Sequence, residues 1–306
     1  MSLAVRMLDV FLNYACQAKC PFCYNPKLTP ELVRWRLPLQ ALAGRLLEGF
    51  QQGFRGVTFS GGEVTLLRDL PRILRLARRA GFGEIGIISN GLRLSETDYA
   101  RELSEAGLSF CCLSVHGDSP RLHDRMVALP GAFVKVLAAL ENLRGLGLGI
   151  VLNFVLTAEN FRSAPDFVER FAGLPGVLEI QLYFPHYDGL MALHADALKL
   201  RISEAEPVLR EAFARARSLG AEERLWVYNA SPCALPGLSS RLRNWEREEE
   251  SLLVDPQGMS GGAFLSERRE RTKNGSCSRC SLDERCLGFE RGYVDHFGAS
   301  EMRPVS

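Results

Sequence analysis

No run of about 18 apolar residues, the length that a membrane-spanning helix needs, occurs in this chain. Arg6 and Asp9 interrupt the N-terminal stretch, and Asn153 breaks the longest later one. Neither a membrane span nor a secretory signal is visible, and the cytoplasm is the expected location. An excess of either charge is missing too. The 37 Lys+Arg nearly cancel the 36 Asp+Glu, and a formal net charge of +1 makes no global field to gather nucleic acid or an anionic membrane. Neither is expected as a partner. Low-complexity tracts and repeats of roughly 20–50 residues are absent, which removes the solenoids. With 46% hydrophobic and 24% charged residues, the chain is not disordered, collagenous or coiled-coil. Its 306 residues suffice for one large domain, or a large and a small one, with a core that needs no disulfides.

What is present is a strong alternation of periods. Short β-branched or aromatic runs fall at 8–14, 56–60, 84–88, 109–115, 149–156 and 177–184. Between them, helix formers with apolar spacings of three and four occupy 38–52, 68–80, 96–106, 131–146 and 161–173, and a longer such segment follows at 203–218. This pattern predicts an α/β fold with right-handed crossovers and a parallel sheet buried on both faces. After residue 225 the pattern breaks into a strand-like LWVYN, the segment SPCALPG, the charged run RNWEREEE, a DPQG turn flanked by SLLV, and a Cys-rich tail. Residues 1–224 therefore read as the main domain and 225–306 as a small appended one.

Nine cysteines in a reducing compartment point to metal or redox chemistry rather than to disulfides. Cys16, Cys20 and Cys23 follow the first strand within eight residues. Three thiolates so spaced can wrap one soft metal centre, and a cubane iron–sulfur cluster held by three would keep one iron open. A structural zinc site or packed thiols are the alternatives. Further polar or Gly-rich breaks follow the next strands: Ser60-Gly61-Gly62-Glu63, then Ser89-Asn90-Gly91, then Ser114-Val-His116-Gly117. Carboxyl ends of parallel strands are where α/β proteins bind ligands, so these breaks describe one shared rim. Paired glycines let backbone approach a ligand, and Glu63 offers an acceptor for an ammonium group.

The CxxxCxxC spacing with an aromatic before its last Cys, followed by GGE after the second strand, resembles the radical S-adenosylmethionine (radical SAM) superfamily over roughly residues 8–190. The resemblance implies a partial (βα)6 TIM-type barrel. Cys16, Cys20 and Cys23 would hold a [4Fe-4S] cluster whose open iron binds S-adenosylmethionine, and an external one-electron reductant of flavodoxin or ferredoxin type would drive cleavage to a 5′-deoxyadenosyl radical. Phe22 and Tyr24 would flank the adenine. Gly61, Gly62 and Glu63 match the segment receiving the methionine amino group, and Ser89, Asn90 and Ser114 stand where relatives bond ribose or carboxylate. Val64-Thr65 replaces the common proline-threonine, leaving the acceptor intact.

In the tail, Cys277, Cys280 and Cys286, with Cys233 upstream, resemble the auxiliary-cluster module of SPASM and twitch-type members, shortened because Glu290 stands where a fuller pattern has another Cys. The resemblance implies a second [4Fe-4S] cluster there; four-thiolate zinc is the alternative. Cys111 and Cys112 are adjacent on one strand, so at most one can face the barrel interior, and both are expected as packed thiols. His116 and His186 either contact substrate or only hydrogen-bond. Arg125 either holds a carboxylate of S-adenosylmethionine or substrate, or makes a local salt bridge. Tyr183, Tyr187 and Asp188 are expected to face the mouth, while RNWEREEE and SERRERTK are solvated faces.

The expected activity is radical modification of a peptide or protein side chain. Two alternatives stand beside it: the same chemistry on a small metabolite such as a sugar, nucleotide or amino-acid derivative, and a non-catalytic iron–sulfur or zinc protein. Cys16 lies so near the start that no leader-binding domain is expected before it.

Overall fold

Alternation of side chains along the extended runs decides the architecture. In a computed structural model of the chain, residues 5–246, 252–254 and 271–305 are described; the DPQG turn, the end of RNWEREEE and most of SERRERTK lie outside them. The six expected strands form as β1 (Met7–Phe11), β2 (Gly56–Ser60), β3 (Glu84–Ser89), β4 (Phe110–Ser114), β5 (Gly149–Val155) and β6 (Val177–Tyr183). Each pairs in parallel with the next in sequence order. The sheet then continues through β7 (Leu225–Tyr228) and β8 (Leu242–Arg243), while β9 (Leu252–Val254) pairs in parallel with β1 on the other edge. The segment beginning at residue 225 thus opens by extending the main sheet. Together the strands curl into a partial barrel of α/β class.

Helices alternate with the strands: α1 (Pro30–Arg34), α2 (Leu39–Gln51), α3 (Leu70–Arg79), α4 (Thr97–Ala106), α5 (Pro120–Met126), α6 (Ala132–Gly145), α7 (Ala164–Phe171), α8 (Gly189–Leu198) and α9 (Ile202–Ser218). The period reading matches α2, α3, α4, α6, α7 and α9, but it missed α1, α5 and α8. The first two are short, and α8 is apolar nearly all round, so none carries a clear 3.6-residue stripe.

Residues such as Val57, Phe59, Ile85, Ile87, Leu113, Leu152, Phe154, Ile180 and Leu182 point outward and are buried under the helices. Their neighbours in sequence face the concave side. That side is not closed off, as the expectation of a doubly buried sheet required. Ile88 is 39% exposed, and Asn153, Glu179 and Gln181 are half-buried. The curl turns what would be a second helix-covered face into an open interior, where polar residues keep access to water.

The C-terminal segment forms a two-stranded antiparallel ribbon of β10 (Arg271–Thr272) and β11 (Phe289–Glu290), followed by α10 (Arg291–Phe297). It is bolted onto the barrel: Leu287 N donates to Trp245 O (2.9 Å), Ser231 Oγ to Gly288 O (2.8 Å) and Ile202 N to Tyr293 Oη (3.0 Å). Tyr293 and Phe297 pack with Tyr187. Tyr187 is therefore buried rather than facing the mouth, because the module supplies an aromatic wall that covers it. Among the described residues no helix is long and apolar enough to cross a membrane.

Candidate active site and second cysteine centre

Beyond Phe11 the chain leaves the sheet and runs across the ends of β1 and β2. Leu12 N still donates to Ser60 O (2.8 Å), and then the Cys loop passes directly over Gly61 and Gly62. Gly62 N donates to Asn13 O (2.5 Å) and Glu63 N to Ala15 O (2.8 Å). A Cβ on Gly61 would stand 2.5 Å from Asn13 O, and one on Gly62 2.2 Å from Tyr14 O. The paired glycines do permit a close approach, but what approaches is the chain's own Cys loop. Two asparagines complete this clamp. Asn13 Nδ2 donates to Glu63 O (3.2 Å), and Asn25 Nδ2, two residues past Cys23, donates to Gly61 O (3.3 Å). Sequence reasoning missed both, although each flanks the Cys motif in an otherwise apolar neighbourhood.

From the other side, the start of α8 grips the end of the loop. Leu190 N donates to Asn25 O (3.1 Å) and Met191 N to Cys23 O (3.0 Å). Gly189 has φ +55°, and a Cβ there would meet Tyr24 O and Asn25 O at 2.2 Å.

Glu63 is only 1% exposed. Its Oε1 accepts from Thr65 N (3.0 Å), Thr65 Oγ1 (2.6 Å) and Ser89 Oγ (2.8 Å), and its Oε2 from Asn90 N (2.8 Å). Burial pushes this carboxyl above its ordinary range, and the bonds from Thr65, Asn90 and Ser89 offset part of that rise. Glu63 therefore ties the end of β2 to the end of β3, with acceptor capacity remaining on Oε2. Asn90 in turn reaches the loop: its Nδ2 lies 3.8 Å from Cys16 Sγ, and its Oδ1 accepts from Gln17 Nε2 (3.3 Å).

The three thiols interact with one another. Burial, and then the charge of Glu63, push Cys16 up to about 11; burial, and then the charges of Cys23 and Cys16, push Cys20 higher still; Cys23 is raised by burial. Such thiols give up their protons only to a strongly cationic partner such as a metal centre. Among the described residues no three His, Cys, Asp or Glu close on one point as tightly as a single ion demands. The donor set of three soft thiols fits an iron–sulfur cluster. Two buried amide oxygens on the same loop, Asn13 Oδ1 and Gln17 Oε1, have no hydrogen-bond partner, which suits a ligand rich in donors.

The remaining rim residues divide. Tyr24 is half exposed, its ring 6.3 Å from that of His186. Phe22 is buried edge-on against His116, with centroids 4.7 Å apart, so it packs in the core beside the loop. Ser114 ends β4 opposite Asn153. Arg125, at the end of α5, pairs with Glu159 at 3.2 Å on the surface. His116 is buried, and its Nδ1 accepts from Val155 N (3.2 Å), a structural role. Cys111 points outward into the core, whereas Cys112 faces the interior 4.0 Å from Gln181 Oε1. There Tyr228 Oη (2.6 Å) and Gln181 Nε2 (2.8 Å) donate to Glu179 Oε1, and Asn153 Nδ2 donates to Gln181 Oε1 (3.4 Å). None of this interior network was read from the sequence, because single polar residues inside strands carry no motif.

The second thiol set is likewise brought together. Burial raises Cys233, as do the charges of Cys286 and Cys277; burial raises Cys286, with Cys280 and Cys277 adding to it. Backbone amides are aimed at sulfur: Gly288 N lies 3.2 Å from Cys286 Sγ and Val305 N 3.3 Å from Cys280 Sγ. Where the longer cysteine pattern would continue, Glu290 is instead buried and bonded to Tyr187 N (2.6 Å) and Asn229 Nδ2 (3.2 Å).

Comparison with known proteins agrees with this geometry. The model of the radical SAM superfamily matches residues 10–171, more than half of the chain. A probable GTP 3′,8-cyclase of Methanopyrus kandleri is 32% identical over 67% of this chain and 66% of its own length. A PqqA peptide cyclase of Granulibacter bethesdensis is 29% identical over 61% of this chain and 49% of its own length. The chain thus spans about half to two thirds of the length of the curated relatives it matches. In fold, the chain resembles Streptococcus suis SuiB bound to precursor peptide SuiA over 99% of its length and 75% of that chain, with TM-score 0.72 at 14% identity. It also resembles anSMEcpe with bound AdoMet and Kp18Cys peptide, with TM-score 0.65 at 16% identity over 95% of this chain and 94% of that one. The family match, and the thiol loop clamped over the ends of β2 and β3, make this chain a member of the radical SAM superfamily of enzymes.

Proposed function

We propose that the protein is a cytoplasmic radical SAM enzyme that modifies a peptide or protein side chain. The observation that carries this reading is the Cys16–Cys23 loop, locked by Gly61–Glu63 and α8 at the mouth of a polar interior. Cys16, Cys20 and Cys23 would hold the [4Fe-4S] cluster. With S-adenosylmethionine bound, that cluster supplies the 5′-deoxyadenosyl radical after reduction by a flavodoxin- or ferredoxin-type donor. The chain's own part is to position and to exclude water. Asn13, Gln17 and the remaining acceptor capacity of Glu63 Oε2 would serve the methionine amino group, next to Gly61 and Gly62. Ser89, Asn90 and Ser114 would border the ribose and carboxylate positions, whereas Arg125 is engaged in its surface salt bridge with Glu159. Of the two aromatics, Tyr24 is the one exposed to an adenine, while Phe22 backs the loop.

Peptide chemistry is supported by the fold likeness to SuiB and anSMEcpe, whose structures contain peptides, and by the PqqA peptide cyclases among the relatives. The probable GTP 3′,8-cyclases favour a second reading, a small-molecule substrate such as a nucleotide. The thiols of Cys233, Cys277, Cys280 and Cys286 would hold a second [4Fe-4S] cluster, zinc being the alternative.

Anaerobically reconstituted protein, given dithionite and S-adenosylmethionine, should form 5′-deoxyadenosine, and its Cys20→Ala variant should not. Equal yields from the two would refute the assignment. Stimulation by candidate precursor peptides and not by GTP supports the peptide reading, and the reverse supports the nucleotide one.

A further inference from the structure

At the end of β6 one constellation joins the Cys loop, the barrel interior and the C-terminal module. His186 Nδ1 faces Glu290 Oε2 at 3.5 Å, and its Nε2 lies 3.4 Å from Tyr183 Oη. A carboxylate only accepts, so Nδ1 carries the proton and Nε2 is left to accept from the Tyr183 hydroxyl. The Tyr183 oxygen in turn accepts from Asn244 Nδ2 (3.3 Å), so the direction of donation is consistent along the chain. Tyr183 alternates with the outward Leu182 and therefore faces the interior, where it stacks on Tyr228 with centroids 5.4 Å apart. Glu290 is fixed by Tyr187 N and Asn229 and is 7% exposed. Burial alone would raise its carboxyl; the bonds from His186, Tyr187 and Asn229 outweigh that and hold it below the ordinary range.

A base with one nitrogen held by a buried carboxylate and the other turned toward a reaction space is the arrangement that proton transfer needs. We propose that His186 and Glu290 are the proton-transfer pair of the reaction in the barrel interior, with Tyr183 carrying the proton between imidazole and interior. This rests on the reading of that interior as the place where substrate reacts. An X–H bond of substrate, such as a thiol, phenol, ammonium or amide, breaks as the Tyr183 oxygen takes its proton. The Tyr183 O–H bond breaks as Nε2 gains a proton, and the X–H electron pair stays on X. No electron leaves the substrate in this step. The resulting imidazolium is neutralised by Glu290, which acts through His186 and is a positioning residue. Among the described residues, titratable or charged groups around the pair include Tyr24 on the Cys loop, Asp188 beside it, Arg271 behind Asn229, and Glu179 and Arg243 beyond Tyr228.

The test uses the reconstituted holoenzyme and the peptide that elicits 5′-deoxyadenosine. The ratio of modified peptide to 5′-deoxyadenosine should fall at least about tenfold in His186→Gln and in Glu290→Gln. It should fall also in Tyr183→Phe, which removes one hydroxyl and keeps the ring stack. The acid limb of the residual product-forming rate in Glu290→Gln should move down by about one pH unit, because the imidazolium has lost its counter-charge. An unchanged ratio, or a limb that stays in place, overturns the proposal. A second measurement needs no substrate: the pH midpoint for carbethoxylation of His186 by diethyl pyrocarbonate, read by mass spectrometry, should drop by a similar amount in Glu290→Gln. An unmoved midpoint overturns the pairing. Should no peptide elicit 5′-deoxyadenosine, the peptide reading falls and the midpoint still decides the pair.

Discussion

Two buried histidines show how single side chains set the conditions under which this fold holds. His123 Nδ1 accepts from His116 N (3.1 Å), a bond that exists only while the imidazole is neutral. Burial lowers His123 from 6.5 to about 4. Between those values the unfolded chain binds a proton that the folded chain refuses, so stability falls as pH falls; above the unfolded value the full stability is present. The span is worth roughly 3 kcal/mol. The urea midpoint at pH 4.5 should therefore lie well below that at pH 7, and His123→Asn, whose amide oxygen can accept without titrating, should flatten part of the slope. An identical slope in the variant would sink this account. Glu63 likewise owes its value to what it accepts. Glu63→Ala leaves donors on Thr65, Ser89 and Asn90 unpaired in the core, at about 1–3 kcal/mol each. Thermal unfolding should show a loss of several kcal/mol, whereas Glu63→Gln, which keeps one oxygen, should lose less.

At the scale of elements, the Cys loop is shaped by what lies beneath and beside it more than by its own residues. The end of β2 clamps its start and the first turn of α8 its finish, both through glycines whose missing Cβ leaves room for backbone. Gly62→Ala must push Tyr14 and Ala15 away, an overpacking cost of about 1–3 kcal/mol. Reconstituted Gly62→Ala protein should retain far fewer irons at the first site than the parent, by iron assay and visible absorbance. The GGE motif was legible as part of the site because glycines and a carboxylate at a strand end are unusual. Its work as a clamp on the chain was not legible, since the partner backbone lies some 50 positions away along the chain, as Asn13 and Glu63 do. The helix α8 was invisible for another reason: an apolar stretch has no stripe to read.

Over the whole molecule, the C-terminal module and the barrel share a sheet edge, an aromatic wall around Tyr187 and Tyr293, and the Glu290 junction. The two thiol sets nevertheless draw on separate parts of the chain. Protein carrying Cys16→Ala, Cys20→Ala and Cys23→Ala together should therefore still bind about four irons. Binding of one zinc and no iron would overturn the second cluster.

Some features were determined by the sequence alone, because they are local. Strand and helix periods, the spacing of three thiols after the first strand, and glycines at strand ends each leave their mark within a few residues. Others were decided only by the tertiary structure. The curl of the sheet opened a polar interior where Glu179, Gln181 and Tyr228 meet, and the docking of residues 271–305 buried Tyr187 and brought Glu290 to His186. Contacts between residues a hundred or more positions apart depend on how the strands close and pack, and no local pattern encodes that closure.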